Sequence, residues 1–244
     1  MKNFTLLLCA IVCASLHSPA QFISKGKIEF EKRVNQHKQM DMEDDGWAAA
    51  VKKQTPEYRN TYFNLIFSPG KAIYEPGRES NEKAGPWGNG PATENTVFTD
   101  FTNHRFVASK QVFDQAFLIQ DSVRHFNWKI TNDTRIIAGF ECRRATAVIM
   151  DSVFVVAFYT NEIIASGGPE SFNGLPGMIL GVVIPRMFTS WYATKLELED
   201  VNETSLTPPR KGKKTDLPGL STQIQKSLKD WGKWGQKYIW QIMI

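Results

Sequence analysis

The chain has 244 residues, a formal net charge of +4 at pH 7 and 42% hydrophobic residues, enough for one large domain that buries most of its apolar surface. Only three cysteines are present, which excludes a disulfide-stapled scaffold. The basic excess is local, because residues 201–244 hold eight Lys/Arg against three Asp/Glu, and this argues against a nucleic-acid-binding domain.

The chain opens as a signal peptide. Lys2 supplies the positive end, Phe4 through Leu16 form an apolar core too short to span a bilayer, and Ser18-Pro19-Ala20 places small residues for cleavage before Gln21. Segment 1–20 is therefore assigned to export, and an exported protein of the periplasm or one associated with the outer membrane is expected. Bulky Leu8 and Val12 precede Cys9 and Cys13, so the lipid-attachment reading is disfavoured. Cleavage leaves Cys142 alone between Glu141 and Arg143, either as a small buried hydrophobe or as a thiolate lowered by Arg143 or Arg144. Beyond residue 20 the longest apolar runs, Val153–Phe158 and Met178–Ile184, are strand-sized, so no transmembrane span is expected after cleavage.

Residues 21–200 read as one β-rich domain. Lys27–Asn35 alternates Ile28, Phe30 and Val34 against Lys27, Glu29 and Glu31. Tyr58–Phe67 follows in the same manner, and Ser68-Pro69-Gly70 turns into Lys71–Tyr74. Arg78 to Pro91, with Trp87 among glycines, is a long polar loop. Then come Thr96–Phe101, Arg105–Lys110, Phe117–Ile119, His125–Thr131, Arg135–Ile137, Glu141–Met150, Val153–Thr160 and Thr189–Glu199. Strands this close leave no room for crossover helices, so an antiparallel sheet is expected. Residues 201–220 read as a Pro/Lys-rich linker, and 221–244 as an amphipathic basic helix capped by Ser221. Its apolar face carries Ile224, Leu228, Trp231, Trp234, Tyr238 and Ile242, to be packed on the sheet or on a membrane or partner.

Motifs for chemistry are scarce. Ala165-Ser166-Gly167-Gly168 lacks the first glycine of a nucleophile elbow, and neither a phosphate loop nor a dinucleotide fingerprint occurs. His37 through Asp45 gathers one imidazole, two thioethers and four carboxylates, but no spacing in it fits a metal set better than it fits a polar strand end. No catalytic residue, metal or cofactor is assigned.

The strongest single feature is Gly174-Leu175-Pro176-Gly177-Met178-Ile179-Leu180. Pro176 pre-sets φ and Gly177 supplies the positive φ of a type II turn, which makes Gly174, Pro176 and Gly177 structural, with Asn the best-tolerated replacement at Gly177. Lys25 through Lys32, Trp128 through Ala145, Ala157 through Ile163 and Gly168 through Gly174 surround this motif in a recognisable order. Together they resemble the GLPGLI family of exported bacterial proteins, the Porph_ging family, with Met178 in place of a typical Leu and Phe158 where Trp is common. The resemblance implies export by a Gram-negative cell and a curved antiparallel sheet or half-open barrel like that of periplasmic lipoprotein carriers, followed by a C-terminal helix. The family has no established reaction. The resulting expectation is a non-enzymatic binding or carrier protein for a hydrophobic or peptide ligand, with Phe172, Leu175 and Met178 lining the concavity. The alternative is an accessory protein that docks onto an outer-membrane partner through Trp87 and the basic tail.

Overall fold

The computed structural model describes residues 22–41, 46–80 and 90–244. The export segment 1–20, Met42 to Asp45 of the acidic cluster, and most of the Arg78–Pro91 loop with Trp87 lie outside the described residues. The strands are β1 (Gly26–Asn35), β2 (Tyr58–Phe67), β3 (Lys71–Pro76), β4 (Thr96–Asp100), β5 (Arg105–Val112), β6 (Gln115–Ser122), β7 (Lys129–Ile137), β8 (Phe140–Ile149), β9 (Val153–Thr160), β10 (Met178–Ile184), β11 (Thr189–Glu197) and β12 (Lys213–Thr215). The helices are α1 (Gln36–Asp41), α2 (Gly46–Lys52), α3 (Leu217–Ser227) and α4 (Gly232–Met243). Among the described residues no helix is long and apolar enough to cross a membrane.

All twelve strands join one open sheet in the order β12-β6-β5-β4-β3-β2-β1-β11-β10-β9-β8-β7. It is two antiparallel meanders, β1–β6 and β7–β11, joined where β11 returns to pair with β1. Tight turns join several of the neighbouring strands; at Ser68-Pro69-Gly70, for instance, the Ser68 and Lys71 backbones pair and Ser68 Oγ accepts from Lys71 N at 3.2 Å. The β7 end rolls over until β7 lies across β11, with three strands between them in the sheet. Gly181 admits this approach, since a Cβ there would stand 2.9 Å from the Tyr192 ring and 3.0 Å from Ile137 Cδ1. Arg135 Nη1 then donates to Tyr192 Oη at 2.9 Å and closes the roll.

The other face carries Ile28, Phe30, Phe63, Tyr74, Val182 and Trp191 in one core. The chain covers this face with its own tail: Leu220, Ile224 and Leu228 of α3 and Trp240 and Ile242 of α4 belong to the same core. A smaller cluster of Phe98, Val107, Leu118 and Leu206 sits on the opposite side of β4–β6.

Three elements differ from their sequence reading. His125–Thr131 and Arg135–Ile137 do not form separate strands; Lys129–Ile137 is one strand with a register shift between Ile130 and Thr134, and Thr131 Oγ1 donates to Asp133 Oδ2 within it at 3.1 Å. The 201–220 stretch is structured, because Lys213–Thr215 pairs parallel with β6 and makes the sheet mixed rather than wholly antiparallel. The tail is two helices. Asp216 caps α3 by accepting from Gly219 N at 2.8 Å, replacing Ser221 in that role, and Gly232 at φ +54° breaks the run. Gly235 lets the pair close up, since a Cβ there would lie 2.5 Å from Leu228 O. The kink turns Trp231 out of the expected apolar face and leaves it 47% exposed.

Candidate functional site

The signature stretch lies inside the protein. Phe172, Leu175 and Met178 are at most 3% exposed and belong to the core, so they line no open concavity. Phe172 packs against Phe126 with ring centroids 5.3 Å apart, and Met178 N donates to Ile163 O at 3.1 Å. The expected type II turn is replaced by a tighter one, in which Gly177 N donates to Leu175 O at 2.8 Å around Pro176. Gly177 has φ +136° and Gly174 has φ +88°. A Cβ on Gly177 would stand 2.1 Å from Thr160 O, so asparagine is excluded there as firmly as alanine. These glycines and Pro176 shape the crossing from the preceding loop into β10.

That loop delivers one carboxylate to the inner face. Glu170 is 3% exposed and holds φ +54°, a conformation that is uncommon for a residue other than glycine. Its Oε2 accepts from Asn95 Nδ2 at 2.9 Å, and its Oε1 lies 3.4 Å from Lys32 Nζ. Lys32 is buried because its position in β1 falls between Phe30 and Val34 on the inward-facing row. Its ammonium stands 5.0 Å from the centre of the Trp191 ring and 5.7 Å from that of Phe63. Tyr74 stacks on Phe63 at 4.8 Å behind it. Trp191 Nε1 and Tyr74 Oη are buried beside each other, and Asn95 Oδ1 is buried without a hydrogen-bond partner among the described residues.

Two further cations tie this centre to the tail. Lys110, 2% exposed, donates from Nζ to Ile242 O at 3.0 Å. Arg124 Nη1 donates to Ser171 Oγ at 3.0 Å, Met243 O at 2.8 Å and Ile244 O at 3.1 Å. Burial lowers Lys32 from its ordinary range against the pull of Glu170, and Arg59 adds to the shift. Burial likewise brings Lys110 down to about 8 and Arg124 to about 10, each opposed by Glu170. The Tyr74 phenol is pushed well above its usual value, by burial first and by Glu170 second.

Beside this centre opens a pocket of about 150 Å³ between β1, β11, α1 and α4. Lys32, Arg59 and Lys237 give its lining three cations, Glu170 gives one carboxylate, and Trp191 and Tyr238 give aromatic walls. Such a lining favours a small anion, held by charge-assisted hydrogen bonds where water is scarce.

The other sequence candidates fall elsewhere. His37 Nε2 lies 2.8 Å from Thr55 O and is spent on that carbonyl, while Met42 to Asp45 of its cluster lie outside the described residues. Cys142 is fully buried and its thiol is pushed up to about 12 by burial first, so the thiolate lowered by Arg143 or Arg144 is not the outcome. Lys32, Lys110 and Arg124 were not among the sequence candidates. The signal for the first two is a lysine on the inward row of an alternating strand.

Residues 148–181 match the model of a family described as "Protein of unknown function (Porph_ging)", the family the motif resembles. No curated protein matches the chain. The fold is similar to that of PNGF-II in two solved structures, in the P21 and C2 space groups, with TM-scores of 0.53 and 0.52 at 15% identity. The likeness covers 84% and 89% of this chain but only 34% and 33% of those chains, so this chain spans about a third of PNGF-II. At that identity the likeness concerns the fold alone.

Proposed function

From a chain whose residues 148–181 match the Porph_ging family, and whose inner face is filled by its own tail, we propose an exported, non-enzymatic binding protein of the cell envelope. Its ligand is a small anion seated between Lys32, Arg59 and Lys237. The observation that carries this reading is the pocket lining: Lys32, Arg59 and Lys237 border it together with Glu170 and the Trp191 ring. Helices α3 and α4 take the space that an apolar ligand would need, which moves the expected ligand from hydrophobic to anionic. Glu170 pairs with Lys32, and an incoming anion would share that cation.

Calorimetric titration of the purified protein with inorganic phosphate and with a series of small mono- and dicarboxylates tests the reading. Saturable binding that is lost when each acid is replaced by its amide, and weakened at least tenfold in Lys32→Met, is the expected result. No saturable binding by any of these anions would end it. An enzyme is the second reading, because Lys32, Glu170 and Tyr74 converge as general acid–base chemistry requires. Glu170→Gln separates the two. A binding site keeps or gains affinity for the anion when that negative charge is removed, whereas a catalytic carboxylate loses turnover.

A further inference from the structure

We propose that the tip made by Phe113, Trp231 and Tyr238 seats the protein on an anionic lipid surface. One ring comes from the β5–β6 turn and two from the tail, and they meet with centroids 5.7 to 6.0 Å apart. Phe113 stands in the turn between β5 and β6, and Trp231 ends the 3-10 turn that precedes α4. These two are 44% and 47% exposed. They form an apolar knob on the surface.

The backbone beneath the knob is strained. Phe113 holds φ +50°, where a bulky side chain is rare and where Asn, Asp or Gly would sit in a hairpin turn at little cost. Burial of a ring in the core would offset such strain, but this ring is left nearly half in water. Strain retained in order to hold apolar surface outward points to something that covers it.

The surrounding charge selects the cover. Lys226 and Lys229 are exposed on the chain leading into Trp231, and β12 brings exposed Lys211 and Lys213 to the start of β6, the strand that leaves the Phe113 turn. Two carboxylates oppose them: exposed Asp114, and Asp230, whose Oδ2 lies 3.9 Å from Lys229 Nζ. Cations are thus in excess around the rings, which favours an anionic surface. The exposed parts of Phe113 and Trp231 offer only about 200 Å², against the roughly 800 Å² that each partner gives to a standard protein interface. A membrane interface accepts so small a knob, because aromatic rings settle at headgroup depth while lysines reach the lipid phosphates.

Flotation of the purified full-length protein with vesicles tests the proposal. Vesicles of phosphatidylethanolamine with phosphatidylglycerol are compared with vesicles of phosphatidylcholine alone, at low and at high salt. The expected result is co-flotation with the anionic vesicles only, lost at high salt. Phe113→Asn should weaken it roughly tenfold or more while holding or raising the melting temperature, because asparagine relieves the positive φ. The doubly substituted Lys226→Gln, Lys229→Gln protein should weaken it by a similar factor with unchanged melting. Equal flotation with phosphatidylcholine, or no flotation with anionic vesicles, overturns the proposal. So does undiminished flotation of Phe113→Asn, or sedimentation showing a dimer that the same substitution dissolves.

Discussion

The two meanders of this sheet are packed by opposite means. In β7–β11 the contacts depend on absent atoms: Gly181 admits Ile137 and Tyr192, Gly177 admits the Thr160 backbone, and Ala145, Ala147 and Ala157 keep the buried rows low. In β1–β6 the inward rows are bulkier and carry two charges, Lys32 and Lys110, which the tail and the Glu170 loop must satisfy. The family match at residues 148–181 contains Gly177 and Gly181 of the first kind of packing, together with Glu170. A recognisable signature therefore marks here where the backbone comes too close for a side chain. Of the groups proposed to hold a ligand, Lys32 and Arg59 stand on the other meander, Trp191 on β11 and Lys237 on α4, and the signature region reaches Lys32 through Glu170.

The contrast is broken most severely at Gly177. A methyl group there would overlap Thr160 O at 2.1 Å, and both neighbours are main chain in a paired strand that cannot step aside. Gly177→Ala should cost more than about 4 kcal/mol, among the exceptional single substitutions, and Gly177→Asn should be no milder. Gly174→Ala meets nothing closer than Trp128 Nε1 at 3.8 Å and should cost only about 1–2 kcal/mol from its positive φ. Urea denaturation of the three variants measures this. Equal stabilities at positions 174 and 177 would show that conformation, and not close approach, governs the motif.

On the charged side the corresponding break is Glu170→Ala. It leaves Lys32 buried among Phe63 and Trp191 without its carboxylate and should cost on the order of 3–5 kcal/mol. Replacing both partners, Lys32→Met with Glu170→Leu, should recover most of that loss, because the desolvation of two ions disappears with their attraction. A double-mutant cycle in urea reads the coupling. Additive losses would mean that the pair, at 3.4 Å, does not act as a unit. The doubly substituted protein should also have no affinity for small anions, which separates its stability from its proposed use.

Legibility followed the same division. Strands Tyr58–Phe67 and Val153–Thr160 are found at their expected residues, because alternation and turn residues are local properties of the chain. The mixed edge was not legible, since Lys213–Thr215 becomes a strand only by finding the open side of β6. Nor was the break at Gly232, where helical spacing continues through a residue whose φ is positive. At the candidate site the motif gave the loop but not its purpose. Apolar residues beside a turn, here Phe172, Leu175 and Met178, look alike in sequence whether they face a cavity or fill a core. Glu170 stood in the resemblance without a role, and its partners Lys32 and Asn95 lie 138 and 75 residues away in sequence. A lysine in an alternating strand was legible as inward-facing but not as paired.

The last test of the charged meander is its response to pH. Lys110 titrates at about 8 in the folded protein against an ordinary 10.5, with burial as the main cause. Between those values the unfolded chain binds a proton that the folded chain does not, so stability should rise as pH is raised through this window. Below pH 8 both states are protonated and the full cost of the buried charge is felt. The gain by the top of the window is about 3 kcal/mol. Tyr74 opposes the rise above pH 10, since its phenol stays protonated in the folded protein while the unfolded chain ionises, and Arg124, brought down to about 10, acts in the other direction. Lys110→Met should reduce the rise between pH 8 and 10 and leave only the part that Lys32, also lowered by burial, contributes. It should also loosen α4, because Ile242 O loses the donor that reaches it at 3.0 Å. Urea midpoints measured at pH 7, 8, 9 and 10 on both proteins decide the matter. A rise of equal size in Lys110→Met would assign the titration to another group and leave Lys110 an ordinary lysine. A flat profile in both proteins would show that Glu170 offsets the burial of Lys110 completely.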